Sequence, residues 1–388
     1  MILRFSQKLK VAFFAAALCI LSPALAAPLD QDAKVHQVID ETIKPLLQQH
    51  DIPGLAVGVT IDGKRFFAEY GDAAIKPKAA VTRNTLFELG SISKTFTATL
   101  AAYAQVEGKL SLTDRVSTIM PELKGGALDN VRVLDLATHT SGGFPLQLPG
   151  DIRNEKDLTA YFKSWKPQYE HGTYRVYANP SVGLLGKVTA KAMGAPYRTL
   201  AERLFADLGL KQTFIDVPAV EMKSYAWGYS RDNKPVRAGP SVIAAEAYGV
   251  KSNAVDMLRY MEANMGLGTL SPKVARAIAA THTGYFRAGE VIQDLIWEQY
   301  PWPVPLEKIV AGNSSPMART SHPAAAIEPP MAPRQDVIIN KTGSTNGFGA
   351  YVAFIPGKKI GIVILANKFY PNEARVKAAH QVLTRLTQ

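Results

Sequence analysis

The strand-forming segments of this chain lie near its two ends, and a long helical region separates them. Four runs have the composition of β-strands: residues 54–61, 64–70, 351–355 and 360–365. Asp62-Gly63 joins the first two runs and residues 356–359 join the last two, so each pair predicts a hairpin. This arrangement predicts one antiparallel sheet that is built from both ends of the chain.

Helical periodicity accounts for much of the remaining sequence. Apolar residues recur at helical spacing in residues 31–50, and a last helix is expected over residues 373–386 with Asn372 as its N-cap. Residues 95–265 predict mostly helices and long loops, whereas residues 301–333 are rich in proline and predict an irregular surface connection. The expected fold class is therefore α+β, an antiparallel sheet flanked by helices plus a mostly helical domain.

The same pattern predicts two lobes. One would be a discontinuous α/β lobe of residues 27–90 and 285–388, and the other a mostly helical lobe of residues 91–284. A cleft between two such lobes is a common place for a small-molecule site.

The first 26 residues have the pattern of an export signal. Three basic residues precede an unbroken apolar run from Val11 to Leu21, and Ala24-Leu25-Ala26 supplies a small-x-small cleavage pattern. The run is too short to span a membrane. We expect cleavage after Ala26 and a periplasmic protein without a membrane anchor, with a retained N-terminal anchor as the alternative.

Composition and charge argue against several classes of function. Removing the 26 signal residues from 388 leaves 362, and removing their three basic residues lowers the formal net charge from +11 to +8. The basic residues are dispersed, with no basic run interleaved with aromatic residues, so no nucleic-acid partner is expected. A diffuse positive field favours small anionic substrates. Cys19 is the single cysteine and lies in the signal, so no disulfide and no thiolate metal site are expected.

Ser91 and Lys94 form the first candidate element of a catalytic site. They follow Gly90 at the start of a predicted helix, and their i, i+3 spacing puts both on one helical face. A serine hydroxyl needs a neighbouring proton acceptor to become a nucleophile, and a helix N-terminus favours an oxyanion. The spacing alone is weak evidence, because about one Ser-x-x-Lys is expected by chance in a chain of this length.

Tyr177-Ala178-Asn179 is the second candidate element. A phenol has a pKa of about 10 and a lysine of about 10.4, so neither is a good base at neutral pH. Nearby cations lower both pKa values, and Lys94 and Lys341 are the candidate cations for Tyr177. The alternative is a loop tyrosine next to a turn asparagine.

Lys341-Thr342-Gly343 is the third candidate element, directly before Ser344 and a predicted strand. Gly343 would let a substrate approach the backbone closely, and a strand edge could pair with the amide of that substrate. The backbone N–H groups of Ser91 and Ser344 would then form an oxyanion hole. The alternative is an edge-strand lysine that discourages aggregation.

The three motifs, in this order and with Tyr-Ala-Asn at the centre, resemble those of the class C β-lactamases, the cephalosporinases. Longer segments are also similar: residues 87–97, 142–147, 246–252, 341–356, 365–368 and 371–375. The resemblance covers nearly the whole chain after the signal. It implies the fold shared by serine β-lactamases and penicillin-binding proteins, and hydrolysis of cephalosporins and penicillins that gives antibiotic resistance.

The resemblance also implies a role for each matched residue. Ser91 would form an acyl-enzyme, Lys94 and Tyr177 would transfer the proton, and Lys341 would complete the catalytic cluster. Substrate contacts are implied for seven further residues: Gln147, Asn179, Tyr248, Thr342, Gly343, Asn372 and Arg375. Gln147 and Asn179 would bind the side-chain amide of the substrate, and Tyr248 would line its side-chain pocket. The substrate carboxylate would be bound by Lys341, Thr342, Asn372 and Arg375. No metal and no cofactor are implied, and we expect a monomer whose partners are small β-lactams.

The chain departs from the class C pattern at three positions. Phe369 stands where many relatives have asparagine near the carboxylate site, Asn340 where histidine is common, and His139 where tyrosine is more frequent. His139 and His171 have no ligand-spaced partner, so we expect them to be structural.

Three other functions fit the same fold. A D-alanyl-D-alanine carboxypeptidase or endopeptidase would share acylation but react only slowly with β-lactams, a related esterase would usually lack the last motif, and a penicillin sensor would not turn over. The Tyr-Ala-Asn centre, Gln147 and the complete Lys-Thr-Gly-Ser run favour the lactamase.

Overall fold

A ten-stranded antiparallel sheet forms the centre of the computed structural model, which describes residues 31–388. The predicted signal, its cleavage site and Cys19 lie outside the described residues. The strands of the sheet come from residues 54–80 and 284–366. The prediction of an α+β fold with one antiparallel sheet is confirmed, whereas the exact lobe boundaries remain a prediction.

The strands are β1 (Gly54–Ile61), β2 (Lys64–Ala74), β3 (Ala79–Ala80), β4 (Phe87–Glu88), β5 (Tyr174–Arg175), β6 (Gly228–Tyr229), β7 (Pro235–Val236), β8 (Lys251–Ser252), β9 (Gly284–Ala288), β10 (Val291–Gln293), β11 (Glu298–Pro301), β12 (His322–Pro323), β13 (Ala325–Met331), β14 (Val337–Ser344), β15 (Gly349–Ile355) and β16 (Ile360–Ala366). The ten strands of the central sheet lie in the order β13-β9-β10-β11-β14-β15-β16-β1-β2-β3.

The α-helices are α1 (Gln31–Gln49), α2 (Ser93–Val106), α3 (Val116–Ile119), α4 (Val133–Ala137), α5 (Glu155–Ser164), α6 (Asn179–Met193), α7 (Tyr197–Asp207), α8 (Ala244–Ala247), α9 (Ala254–Asn264), α10 (Pro272–Ala280), α11 (Leu306–Gly312), α12 (Ser315–Arg319) and α13 (Asn372–Thr387). None of the helices in residues 31–388 combines the length and the apolar character needed to cross a membrane.

Both predicted hairpins form, and they pair with each other. Asp62 and Gly63 turn the chain between β1 and β2 with φ values of +50° and +83°, the left-handed backbone that a tight two-residue hairpin requires. Lys359, with φ +48°, plays a similar part between β15 and β16. β1 pairs with β16 from Leu55–Ala366 to Ile61–Ile360, which joins the two ends of the chain.

The central strands are buried on both faces. On β1, Leu55 and Val57 belong to an apolar cluster that includes residues of α1 and α13. Ala56 and the backbone of Gly58 face the other layer, where an added Cβ on Gly58 would lie 2.7 Å from Leu258 of α9. Successive side chains of a strand point to opposite faces of a sheet, and both faces are covered here: α1 and α13 lie on one side and α9 on the other.

The prediction of an irregular connection over residues 301–333 is wrong. This segment forms α11, α12 and the edge strand β13. Three of its prolines occupy positions that regular structure tolerates: Pro305 is the residue before α11, Pro316 lies in the first turn of α12, and Pro329 lies on an edge strand.

The predicted N-cap of the last helix is also wrong by one residue. Pro371 is the N-cap, and Asn372 is the first residue of α13. The Asn372 side chain instead donates a hydrogen bond to the carbonyl of Asn313, 3.3 Å away, and so points to the neighbouring α11–α12 segment.

Candidate active site

Ser91 lies in a short 3-10 turn, Gly90–Ile92, which leads directly into α2. Lys94 is in the first turn of α2 and is fully buried. Its Nζ donates hydrogen bonds to Ser91 Oγ at 2.9 Å and to the carbonyl of Ala247 at 2.8 Å. The predicted contact between the two residues therefore forms, and the lysine is fixed at both of these points.

The aromatic ring of Tyr177 lies close to two lysines. Lys94 Nζ is 5.3 Å and Lys341 Nζ is 4.9 Å from the ring centroid, and the guanidinium carbon of Arg175 is 5.6 Å away. Tyr177 is buried, and its Oη has no hydrogen-bond partner within residues 31–388. The phenol is thus surrounded by positive charge and lies close enough to Ser91 and Lys94 for these groups to influence its pKa and that of Lys94.

This arrangement changes the acidity of both proton-transfer candidates. Burial would raise the pKa of Tyr177, but the charges of Lys341 and Lys94 outweigh it and lower that pKa from 10.0 to about 8. Burial lowers the pKa of Lys94 to about 8, and the charge of Lys341 acts in the same direction. Since the groups interact, they titrate as one cluster, and that cluster can accept a proton near neutral pH.

Lys341, Thr342 and Gly343 lie within the last part of β14, which corrects the expectation that they precede a strand. β14 pairs with β15 as far as Ser344, but it pairs with β11 only as far as Asn340. Along residues 341–344 the β11 side therefore has no strand partner in the described chain. That open edge can pair with an extended substrate.

The end of β14 packs directly against the turn that carries Ser91. An added Cβ on Gly343 would lie 1.9 Å from the carbonyl oxygen of Leu89, and one on Gly90 would lie 2.4 Å from the backbone nitrogen of Ser344. Gly90 also has a φ of +53°. Only glycine fits at these contacts, and they bring the backbone of Ser344 next to the turn that holds Ser91.

A cleft of about 820 Å³ opens over this contact. Ten of the residues predicted from the sequence line it: Ser91, Gln147, Tyr177, Asn179, Tyr248, Lys341, Thr342, Gly343, Ser344 and Asn372. Asn179 Nδ2 donates a hydrogen bond of 2.8 Å to Gln147 Oε1, so these two amides already form a pair at the cleft wall.

Arg375 lies outside the cleft lining, so the geometry does not support the direct contact with a substrate carboxylate that the resemblance implied. It is fully buried, and its terminal nitrogens donate to the carbonyls of Gly343 (2.5 Å), Ala350 (3.1 Å) and Tyr370. A guanidinium that donates to three carbonyls holds the end of β14 in place instead.

Sequence reasoning missed a buried charge network behind Tyr177. Arg175 donates to Glu298 Oε1 and to Gln293 Oε1, each at 2.6 Å, and Lys341 Nζ lies 4.0 Å from Glu298 Oε1. The alternation of Arg175 and Tyr177 is a weak signal of a shared face. No local pattern points to Glu298, because it comes from another strand.

Other cleft residues were also missed. Arg231 lines the cleft, and its guanidinium carbon lies 4.7 Å from the ring centroid of Phe369. Phe369, which stands where many class C relatives have asparagine, thus contacts the guanidinium of Arg231 at the cleft edge by a cation–π interaction. Within residues 31–388, no group of three or more His, Cys, Asp or Glu side chains is arranged to hold a metal ion.

Comparison with known proteins agrees with this geometry. A family model described as Beta-lactamase matches residues 39–386. A β-lactamase of Pseudomonas fluorescens is 48% identical over 355 residues, which cover 91% of this chain and 99% of that protein.

Solved structures extend the similarity to the fold. A class C β-lactamase in complex with cefoxitin is 49% identical, covers 92% of this chain and 99% of its own, and has a TM-score of 0.90. A β-lactamase/D-alanine carboxypeptidase from Pseudomonas syringae is also 49% identical, covers 91% and 99%, and has a TM-score of 0.89. The resemblance found in the sequence is confirmed: the chain belongs to the β-lactamase family and is similar along its length to class C members.

Proposed function

We propose that this protein hydrolyses cephalosporins and penicillins through an acyl-enzyme on Ser91. One observation carries the proposal. Ser91 Oγ accepts a hydrogen bond from a buried lysine whose pKa is lowered to about 8, beside a tyrosine whose pKa is lowered to about 8. A nucleophile in contact with a proton acceptor of near-neutral pKa is what acyl transfer requires.

In the acylation step, Ser91 Oγ attacks the lactam carbonyl carbon and the C–N bond of the ring breaks. The proton of the hydroxyl passes to the Lys94–Tyr177 pair and then to the leaving nitrogen. Because the two groups titrate together, the pair as a whole is the acceptor. The charge of Lys341 keeps the deprotonated form accessible.

Deacylation reverses these roles. A water molecule attacks the ester carbonyl carbon and gives a proton to the Tyr177 end of the pair. As the ester bond breaks, the pair returns a proton to Ser91 Oγ and restores the free hydroxyl. The fast release of the acyl group is the property that distinguishes a β-lactamase from a peptidase of the same fold.

The backbone would stabilise the negative oxygen in both steps. The N–H groups of Ser91 and Ser344 are the proposed donors, supported by the close packing of Gly90 against Ser344. Removing one such donor typically costs about 2.7–4 kcal/mol in the transition state.

The cleft walls would orient the substrate. Asn179 and Gln147 would bind its side-chain amide, and Tyr248 would line the side-chain pocket. Lys341, Thr342 and Asn372 would bind its carboxylate. We propose that Arg375 acts only through β14, since it lies outside the cleft lining and its terminal nitrogens donate to backbone carbonyls and to Ser344 Oγ. We further propose that the protein acts as a periplasmic monomer after cleavage at Ala26.

A D-alanyl-D-alanine carboxypeptidase activity is the second candidate. Two solved relatives at 48–49% identity are described by that activity, one from Pseudomonas syringae and one from Burkholderia cenocepacia. The open edge of residues 341–344 would accept an extended peptide as well as a β-lactam.

Purified protein mixed with a chromogenic cephalosporin separates the two candidates. The proposal expects rapid turnover of many equivalents, whereas one stoichiometric burst that then stops would contradict it and favour the peptidase. Ser91→Ala should abolish both turnover and covalent labelling, while Ser164→Ala, which changes an exposed serine, should alter neither. Release of D-alanine from a D-alanyl-D-alanine peptide measures the second activity directly.

A further inference from the structure

His139 makes direct contact with the tyrosine of the catalytic cluster. Its ring centroid is 4.3 Å from that of Tyr177, with an angle of 42° between the two planes. The side chain is fully buried, and its backbone has a φ of +60°, which is uncommon for a residue with a side chain. Backbone strain of this kind persists where the surrounding contacts hold it.

His139 also binds the backbone on both sides of Tyr177. Its carbonyl oxygen accepts a hydrogen bond of 2.8 Å from the N–H of Val176, and its Nδ1 accepts one of 3.3 Å from the N–H of Ala178. Ring, side-chain nitrogen and carbonyl therefore all contact the three residues centred on Tyr177. A histidine needed only to fill the core would not have to meet all three.

The hydrogen bond from Ala178 defines the charge of the imidazole. Nδ1 can accept only when it carries no proton, so this bond corresponds to a neutral ring with its hydrogen on Nε2, which has no hydrogen-bond partner within residues 31–388. Burial holds the pKa of His139 well below its usual range, and the charges of Arg175, Lys94 and Lys341 act in the same direction. Glu298 is the acidic group of this network, and it is bound to Arg175.

We propose that His139 is a positioning residue that holds the phenol of Tyr177 in place for proton transfer at Ser91. The inference rests on the proposed function, because it assumes that Tyr177 takes part in the reaction. His139 itself does not line the cleft, so it acts through Tyr177 and not on the substrate.

Two substitutions separate the contacts. His139→Asn keeps an acceptor close to the Nδ1 position and tolerates a positive φ, but it removes the ring contact. His139→Phe keeps a ring and removes the acceptor for Ala178. Since displacing a reacting group by about 1 Å can cost about 10²-fold, we expect kcat to fall about 10- to 100-fold in each variant, with KM changed by less than about threefold.

A pH profile provides a readout that a purely structural role would not move. If Tyr177 is held less firmly beside Lys94 and Lys341, its pKa rises towards the ordinary value. The acidic limb of kcat should then move to higher pH in both variants. Thr140→Val is the matched control, since Thr140 is buried in the same loop and its hydroxyl contacts only Thr138 and Asp135.

The decisive experiment measures kcat, KM and the acidic limb for the wild type and these three variants, with rates referred to the folded fraction. Unchanged kcat and pH profile in His139→Asn and His139→Phe, or equal losses in Thr140→Val, would overturn the inference while leaving the proposed function intact. If the wild type does not turn over, the rate constant for acylation of Ser91 by a penicillin replaces kcat. The test of His139 then remains independent of hydrolysis.

Discussion

The end of β14 lies next to two buried regions of positive charge that differ in what their charged groups contact. On the cleft side, Lys94 and Lys341 surround Tyr177, whose Oη has no hydrogen-bond partner in the described chain. Outside the cleft, the terminal nitrogens of Arg375 donate to the carbonyls of Gly343, Ala350 and Tyr370. Both regions are buried and positive, and each has a polar atom without a hydrogen-bond partner within residues 31–388. In the first it is Tyr177 Oη, on a residue that lines the cleft, and in the second it is Arg375 Nε, on a residue that does not.

This difference separates structure from chemistry. Burying a polar atom without a partner is costly, and one on a residue that lines a cleft is available to a substrate or a reacting group. In the Arg375 region, the terminal nitrogens of the guanidinium donate to backbone carbonyls and hold the end of β14 in place. In the Lys94–Tyr177–Lys341 region, burying positive charges close together costs stability and lowers the pKa values of Lys94 and Tyr177. Removing a cation from each region should therefore have opposite consequences for activity and for stability.

Lys341→Ala should have the largest effect on activity. Without this charge the pKa of Tyr177 rises, so the acidic limb of kcat/KM should move to higher pH, and the value at pH 7 should fall about 10²–10³-fold. A pH series of kcat/KM with one cephalosporin measures both effects. Lys341→Arg keeps the charge and should retain the position of the limb. An unchanged pH profile in Lys341→Ala would break the assignment of the cluster.

Gly90→Ala tests the close packing between the Ser91 turn and β14. The new Cβ would combine a positive φ with a 2.4 Å contact to the Ser344 nitrogen, so we expect a loss of about 3 kcal/mol in the free energy of unfolding together with reduced kcat. Gly108→Ala is the matched control, because Gly108 has a φ of +66° and open space around the new Cβ. It should cost only about 1–2 kcal/mol and leave kcat unchanged. Equal losses in denaturant unfolding would contradict the packing argument.

Arg375→Met tests the second region. Three backbone carbonyls would lose their donor, and we expect the free energy of unfolding to fall by about 2 kcal/mol. Since the guanidinium lies outside the cleft lining, KM should change less than it does in Lys341→Ala. Urea unfolding and steady-state kinetics on the same sample check both parts. A large rise in KM without a loss of stability would restore the direct contact implied by the resemblance.

Gln147→Ala should have the smallest effect. The substitution removes the acceptor of the 2.8 Å hydrogen bond from Asn179 at the cleft wall, and Gln147 has no part in the proposed proton transfer. We expect KM to rise about fivefold, corresponding to about 1 kcal/mol, for cephalosporins with an amide side chain, with little change in kcat. A substrate without that amide serves as the control, and an equal rise in its KM would argue against the contact.

The sequence was most informative where the signal is local. The hairpins were predictable because Asp62-Gly63 requires one type of turn, and the contact of Ser91 with Lys94 was predictable because a helix brings i and i+3 together. Strand signals at the two ends of the chain were enough to predict a shared sheet. The motif resemblance then selected Tyr177 and Lys341 as further members of the site.

Long-range contacts could not be predicted in the same way. Glu298 is 123 positions from Arg175 in the chain, and no periodicity relates two strands that far apart. The motif identified Arg375, but it could not show that backbone carbonyls take its donors. His139 could be read only as a departure from a pattern, because its contact with Tyr177 depends on how two loops meet. Proline content over residues 301–333 misled because helix starts and edge strands tolerate proline.

Acylation of Ser91 is tested most directly by following the mass of the Ser91-containing peptide during turnover. Protein is mixed with excess cephalosporin, the reaction is quenched at intervals, and the digested peptides are analysed by mass spectrometry. Our prediction is an acyl adduct that forms on that peptide and disappears once the substrate has been consumed over many turnovers. An adduct on another residue, or one per protein molecule on Ser91 that persists while substrate remains, would contradict it.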